Sequence, residues 1–140
     1  MPLRWRQPIV RPHPGYHVDR VVVREIARGT GPTVGIHDYV LMDYIEGDYR
    51  RGDVFYDAWE NPGPVAGVIL ARTDRYRGLA IGMRGMRVGG RRQVIVPPRL
   101  AGIDGTGHAD WRRFVIFDVA LRGIYARGCA DDGEPCRSGP

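Results

Sequence analysis

GLAIGMRGMRVGGRRQVIVPP, residues 78–98, changes its periodicity twice and stops on a proline pair. Leu79, Ile81, Met83 and Met86 form a short apolar stripe that predicts about two turns of helix, and Gly85, Gly89 and Gly90 end it. After the glycines Val94 and Val96 alternate with Gln93 and Ile95, the period-two pattern of a strand that buries one face. Pro97 and Pro98 close the strand, because proline donates nothing to a ladder. The local prediction is a short helix, a tight glycine turn and a strand that runs into a loop.

Outward from this stretch, the whole chain has 140 residues, 43% of them hydrophobic and 26% charged, which predicts one soluble domain with one core. The net charge is +5, and all 21 basic residues are arginine. Guanidinium forks suit phosphate and carboxylate, so a polyanion has to be considered as a partner. The arginines are scattered and no aromatic-basic platform accompanies them, so no nucleic-acid partner is expected. Cys129 and Cys136 lie close together near the end, without a histidine nearby to complete a zinc site, and read as two free thiols, with a small disulfide in an oxidising compartment as the alternative. No apolar run reaches the length of a signal core or a membrane span, which predicts a cytoplasmic protein that no membrane holds.

The run GMRGMRVGGRRQVIVPPRLAG, residues 82–102, resembles the central segment of the FKBP-type peptidyl-prolyl isomerases, which reads roughly VIPGWxxGLxGMxVGGRRxLxIPPxLAYG. REIARGTGP, residues 24–32, resembles the opening strand and GTGP turn of that family, and FVIFDVAL, residues 114–121, resembles its closing LVFDVEL. The resemblance extends over residues 18–124. It implies an α+β fold, a strongly bent antiparallel sheet of about five strands wrapped around one short α-helix, with a pocket between helix and sheet. Residues 1–17, rich in proline and arginine, read as an extended or disordered arm that Trp5 and Tyr16 can anchor, and residues 125–140 read as a frayed tail.

Within the domain, Val21, Val23 and Ile26 are expected as the buried row of the first strand, and Val40, Met42 and Tyr44 as that of the second. Glu46 and Asp48 read as the solvated tip of a hairpin. Val115, Phe117, Val119 and Leu121 form the inward row of the last strand, the clearest alternation in the chain.

By resemblance, the residues that act on substrate are Tyr44, Phe55, Tyr56, Asp57 and Phe117, with Tyr44, Phe55, Leu79 and Phe117 as the apolar wall. Tyr44, Phe55 and Phe117 take the places of the family's pocket aromatics. Tyr56 sits where the family has a pocket aspartate; Asp57, one residue later, faces the other side of the strand unless a bulge re-aims it. Substrate contacts are assigned to Ala66, Tyr76, Leu79, Ile103 and His108. Leu79 replaces the tryptophan of the pocket floor, Ala66 an aromatic floor residue and Tyr76 an aliphatic one, while Gly102 and Ile103 stand where a loop tyrosine is expected.

The chemistry implied is rotation of a prolyl amide, which needs neither metal nor cofactor, with reduced activity expected from the altered pocket positions. The partner is a proline-containing peptide or protein, or a small apolar ligand, bound by a monomer or weak oligomer. Two other readings stay open: a binding or chaperone-like domain without turnover, and an enzyme for a small molecule with Tyr44, Tyr56, Asp57 and His108 as acid-base groups.

Overall fold

A computed structural model of the chain describes residues 7–35, 38–60, 66–69, 77–101 and 113–125, with residues 66–69 and 125 described by their backbone. In chain order the elements are β1 (Val22–Ala27), β2 (Tyr39–Asp48), β3 (Val54–Asp57), β4 (Ala66–Ile69), α1 (Arg77–Met83), β5 (Arg91–Val96) and β6 (Val115–Tyr125). A single turn of 3-10 helix, Pro98–Leu100, follows β5 where the proline pair ends the ladder. The strands pair antiparallel in the order β1-β5-β6-β2-β3, and β4 adds to the same edge of β2 beside β3. The expected path of five strands around one helix is therefore present, with a short sixth strand on its flank.

Directly paired residues of antiparallel strands share a face. Tyr44 pairs with Val119, Met42 with Leu121, Val94 with Phe117 and Val96 with Val115, so these eight form one concave apolar surface. They belong to a single buried cluster with Leu79, Met83 and Met86 of the helical segment. Ile81 departs from the expected stripe. Two residues from Leu79 is over half a helical turn, and Ile81 faces out with 42% of its surface exposed. What brings the helix onto the sheet is glycine. A Cβ on Gly82 would lie 2.2 Å from Val94 Cγ1, and one on Gly78 would lie 2.3 Å from Val96 Cγ1.

The convex face is also covered, which the alternation in β5 did not indicate. Ile95, Ile116, Tyr49 and Phe114 make a second small core, against which Val10, Tyr16 and Val22 pack. Residues of the N-terminal arm thus lie on the sheet. The His13 amide donates to the carbonyls of Tyr49 (3.1 Å) and Arg50 (3.0 Å), and its ring stacks on Tyr49 with centroids 4.1 Å apart. Arg50 Nε donates to the Tyr16 carbonyl at 2.5 Å. The same face buries an ion pair in which Arg91 Nε and Nη2 donate to the two oxygens of Asp118 at 2.8 and 3.0 Å, and Gln93 Nε2 donates to Asp118 as well.

Val21, just before β1, reaches the main core, but Val23 within it is 43% exposed. β1 is an edge strand with a register shift between Glu25 and Ala27, so part of its expected inward row opens to solvent. No helix among the described residues is long and apolar enough to cross a membrane.

Candidate functional site

Three strands converge on one patch of the concave face. From β2 comes Tyr44, from β3 Tyr56 and from β6 Phe117, with β2 hydrogen-bonded to the other two strands. The Tyr44 and Tyr56 rings lie 4.7 Å apart and tilted by 31°, and the Tyr44 and Phe117 rings lie 6.3 Å apart at 44°. Such offset arrangements are the ones aromatic quadrupoles favour. Phe117 and Leu79 are 1% and 0% exposed, and Tyr56 is half-buried against their cluster. Tyr44, Tyr56, Leu79 and Phe117 therefore form one apolar group with Tyr56 at its open side.

The hairpin that presents Tyr56 is irregular. Gly47 pairs with Val54 and Glu46 with Tyr56, which leaves Phe55 as the extra residue of a β-bulge. Phe55 is 44% exposed, and the Arg113 guanidinium lies over its ring at 4.8 Å from the centroid. It stands outside the buried aromatic group, where it can contribute a rim and not the wall expected from the sequence.

Asp57 comes after the bulge and pairs with Ile45, so it stays on the face opposite Tyr44 and Tyr56. Its Oδ1 accepts from the amides of Trp59 (2.9 Å) and Glu60 (3.3 Å), and its Oδ2 from Gln7 Nε2 (2.9 Å). That set of bonds makes Asp57 the cap of the turn after β3 and a tie to the N-terminal arm.

A carboxylate that does lie on the concave face, beside the aromatic group, is Glu46. It pairs with Phe117 on one side and Tyr56 on the other, and it is buried. The sequence placed it at a solvated tip together with Asp48. Both are buried instead, because β2 runs on to Asp48 and the turn begins only there. Asp48 Oδ1 accepts from the amides of Arg50 and Arg51, each at 2.9 Å, and so holds the turn. Glu46 could have been found from the alternation itself, since it continues the inward row Val40, Met42 and Tyr44.

Of the remaining residues assigned from the sequence, Tyr76, Ile103 and His108 lie outside the described residues. For Ala66 the backbone is described, paired with Met42. Among the described residues no group of three histidine, cysteine, aspartate or glutamate side chains could hold a metal ion.

A concave aromatic patch on a six-stranded antiparallel sheet crossed by one short helix can be compared with known proteins. Residues 31–121 match the family profile described as FKBP-type peptidyl-prolyl cis-trans isomerase. A probable FK506-binding protein of Corynebacterium glutamicum is 31% identical over 106 residues, which cover 72% of this chain and 84% of that protein. An FK506-binding protein of Streptomyces anulatus is 30% identical over 93 residues, 62% of this chain and 70% of that one. Among solved structures, the N-terminal domain of FKBP42 from Arabidopsis thaliana aligns over 85% of this chain and all of its own length, with a TM-score of 0.68 and 21% identity. FkpA from Escherichia coli aligns with a TM-score of 0.62 and 22% identity over 74% of this chain, which spans only 47% of that longer protein. The profile covers more than half of the chain and the aligned structures share its sheet and helix, so the chain belongs to the FKBP-type peptidyl-prolyl cis-trans isomerase family.

Proposed function

We propose that this chain binds Xaa-Pro segments of polypeptides against Tyr44, Tyr56, Leu79 and Phe117 and assists rotation about the prolyl amide. The observation that carries the reading is the group of three rings from β2, β3 and β6 on the concave face, in a chain of this family.

Rotation of a peptide bond meets a barrier of about 18–20 kcal/mol, because resonance is lost as the amide twists. For Xaa-Pro the two ground states differ by only about 0.5–1 kcal/mol, so a catalyst has to stabilise the twisted state and nothing else. No bond is made or broken, and the reaction asks for no nucleophile, metal or cofactor. An apolar wall of this kind seats the pyrrolidine ring and keeps water from the amide. Out of water, the carbonyl loses hydrogen bonds that favour the planar, charge-separated resonance form.

Tyr44, Tyr56 and Glu46 add polar atoms beside that wall. Glu46 supplies a carboxylate near the place where the family's aspartate is replaced by Tyr56. In this reading the carboxylate orients the segments flanking the proline, and Phe55 with Arg113 forms the rim over which the peptide enters.

The test is a protease-coupled isomerisation assay on a short Xaa-Pro peptide with wild type, Tyr56→Ala and Phe117→Leu. Tyr56 is half-buried at the open side, so its truncation spares the fold, and Phe117→Leu keeps an apolar side chain in the core. The expected outcome is clear catalysis by the wild type and a loss of about tenfold or more in kcat/KM in each variant, or about 1.4 kcal/mol of transition-state stabilisation. Catalysis that neither variant diminishes would place the reaction elsewhere. Tight binding of the peptide without turnover would leave the binding-domain reading.

A further inference from the structure

Beyond the C-terminal end of α1, a depression of about 220 Å³ is lined by Glu25, Arg28, Gly85, Arg87 and Arg92. It lies where α1 ends, whereas Leu79, the helix residue of the aromatic group, lies in the first turn of α1. Gly78, next to Leu79, packs on Val96, whereas Arg92 Nη1 donates to the carbonyls of Gly82 (3.1 Å) and Arg84 (2.7 Å), where the helix ends. Arg92 is further held by an ion pair with Glu25. The other two arginines are less engaged. Arg87 has a single long hydrogen bond, 3.5 Å to the Gly31 carbonyl, and Arg28 is exposed and has no hydrogen-bond or ion-pair partner among the described residues.

Three guanidinium groups around one carboxylate leave an excess of donors facing solvent, in the planar form that pairs with oxyanions two bonds at a time. The surface continues along α1. Arg77, Ile81 and Arg84 recur at three- and four-residue spacing, which aligns them on one side of α1, and all three are exposed.

We infer that this depression and the outer side of α1 form a docking surface for an acidic segment of the polypeptide whose proline occupies the hollow. The inference rests on the isomerase reading for the proline and on the arginines for the acidic segment. Seven helical residues extend about 10 Å. An extended peptide covers that in about three residues, so carboxylates or phosphoserines roughly four to six positions from the proline reach the depression. A polypeptide fits better than a nucleic acid, because Ile81 puts an apolar side chain between the arginines of α1 and no aromatic ring lines the depression for base stacking.

Fluorescence anisotropy with the full chain at low ionic strength tests this without using catalysis. The probes are a labelled six-residue Asp/Glu peptide lacking proline, its Asn/Gln counterpart, and a labelled oligothymidine of similar charge. The acidic peptide should bind the wild type about tenfold more tightly than its amide counterpart, and the Arg28→Gln/Arg87→Gln variant should lose about tenfold. Arg28→Gln alone, a change at an exposed side chain without partners, should lose part of the affinity and guards against a folding defect in the double variant. Equal binding of the acidic and amide peptides, or affinity unchanged in both variants, overturns the proposal. Tighter binding of the oligothymidine, lost in the same variants, would replace the peptide with a nucleic-acid partner. Extending the acidic peptide by four residues and a proline should tighten its binding further. If that gain is absent while the arginine-dependent binding persists, the hollow's role fails and the docking surface stands.

Discussion

Gly82 illustrates how one missing methyl group sets the position of a helix. Val94, against which it rests, is fully buried, β-branched and stiff at χ1, so it has no rotamer that would clear a new Cβ. Alanine is the better helix former by roughly 1 kcal/mol, while overpacking a core costs about 1–3 kcal/mol. Overpacking wins here, and Gly82→Ala is expected to destabilise the domain by about 1–2 kcal/mol in chemical denaturation. In the background of Val94→Ala the same change should cost nothing or stabilise. Equal stability of Gly82→Ala and wild type would contradict the close packing of α1 on β5. At the same scale, Glu46 and Asp57 show that a carboxylate's role depends on its register. One residue of alternation puts Glu46 on the concave face beside Phe117, and the opposite parity puts Asp57 into a turn cap.

The N-terminal arm gains its order as an element, by covering the second core of the sheet. Tyr16 is its anchor, edge-on to Tyr49 at 4.7 Å and to Phe114 at 5.4 Å. Its hydroxyl is buried and has no hydrogen-bond partner among the described residues. Burial raises the Tyr16 phenol above the usual tyrosine range, the neighbouring Tyr49 adds to this, and Arg20 partly offsets it. A group that holds its proton more tightly when folded stabilises the fold below its unfolded pKa, about 10 for tyrosine. That contribution is lost as pH rises through 10 toward the folded value, because the unfolded chain then gives up its proton first. The melting temperature should accordingly fall between pH 9 and 11, and fall less steeply in Tyr16→Phe, which keeps the ring and removes the ionisation. At neutral pH the variant should be at least as stable as wild type, since the hydroxyl it loses is unsatisfied. Identical pH profiles, or a clear loss of stability at pH 7, would show that the phenol is not the group concerned.

Across the whole molecule, the sheet and helix were legible in the sequence because short-range patterns specify them. The inward row Val115, Phe117, Val119 and Leu121 alternates without interruption, and the proline pair ends β5 where it should. The second core was not legible. It depends on contacts between residues far apart in the chain, such as Tyr16 with Phe114, and a proline-rich arm carries no periodicity that would announce them. The site was half legible. Tyr44, Tyr56, Leu79 and Phe117 come together, whereas the bulge at Phe55 carries that ring to the rim and leaves Asp57 on the far face. A bulge shifts every later residue by one face, and no residue at 54–57 is a glycine that would mark it. Acceleration of prolyl rotation at the aromatic group is read by exchange NMR on an Xaa-Pro peptide with a small fraction of the protein added. The expected result is exchange cross-peaks between the cis and trans signals on the second timescale, where the free peptide takes tens to hundreds of seconds, and their disappearance with Phe117→Leu. Cis and trans signals that exchange no faster with the protein than without it would mean that the aromatic group does not catalyse the rotation.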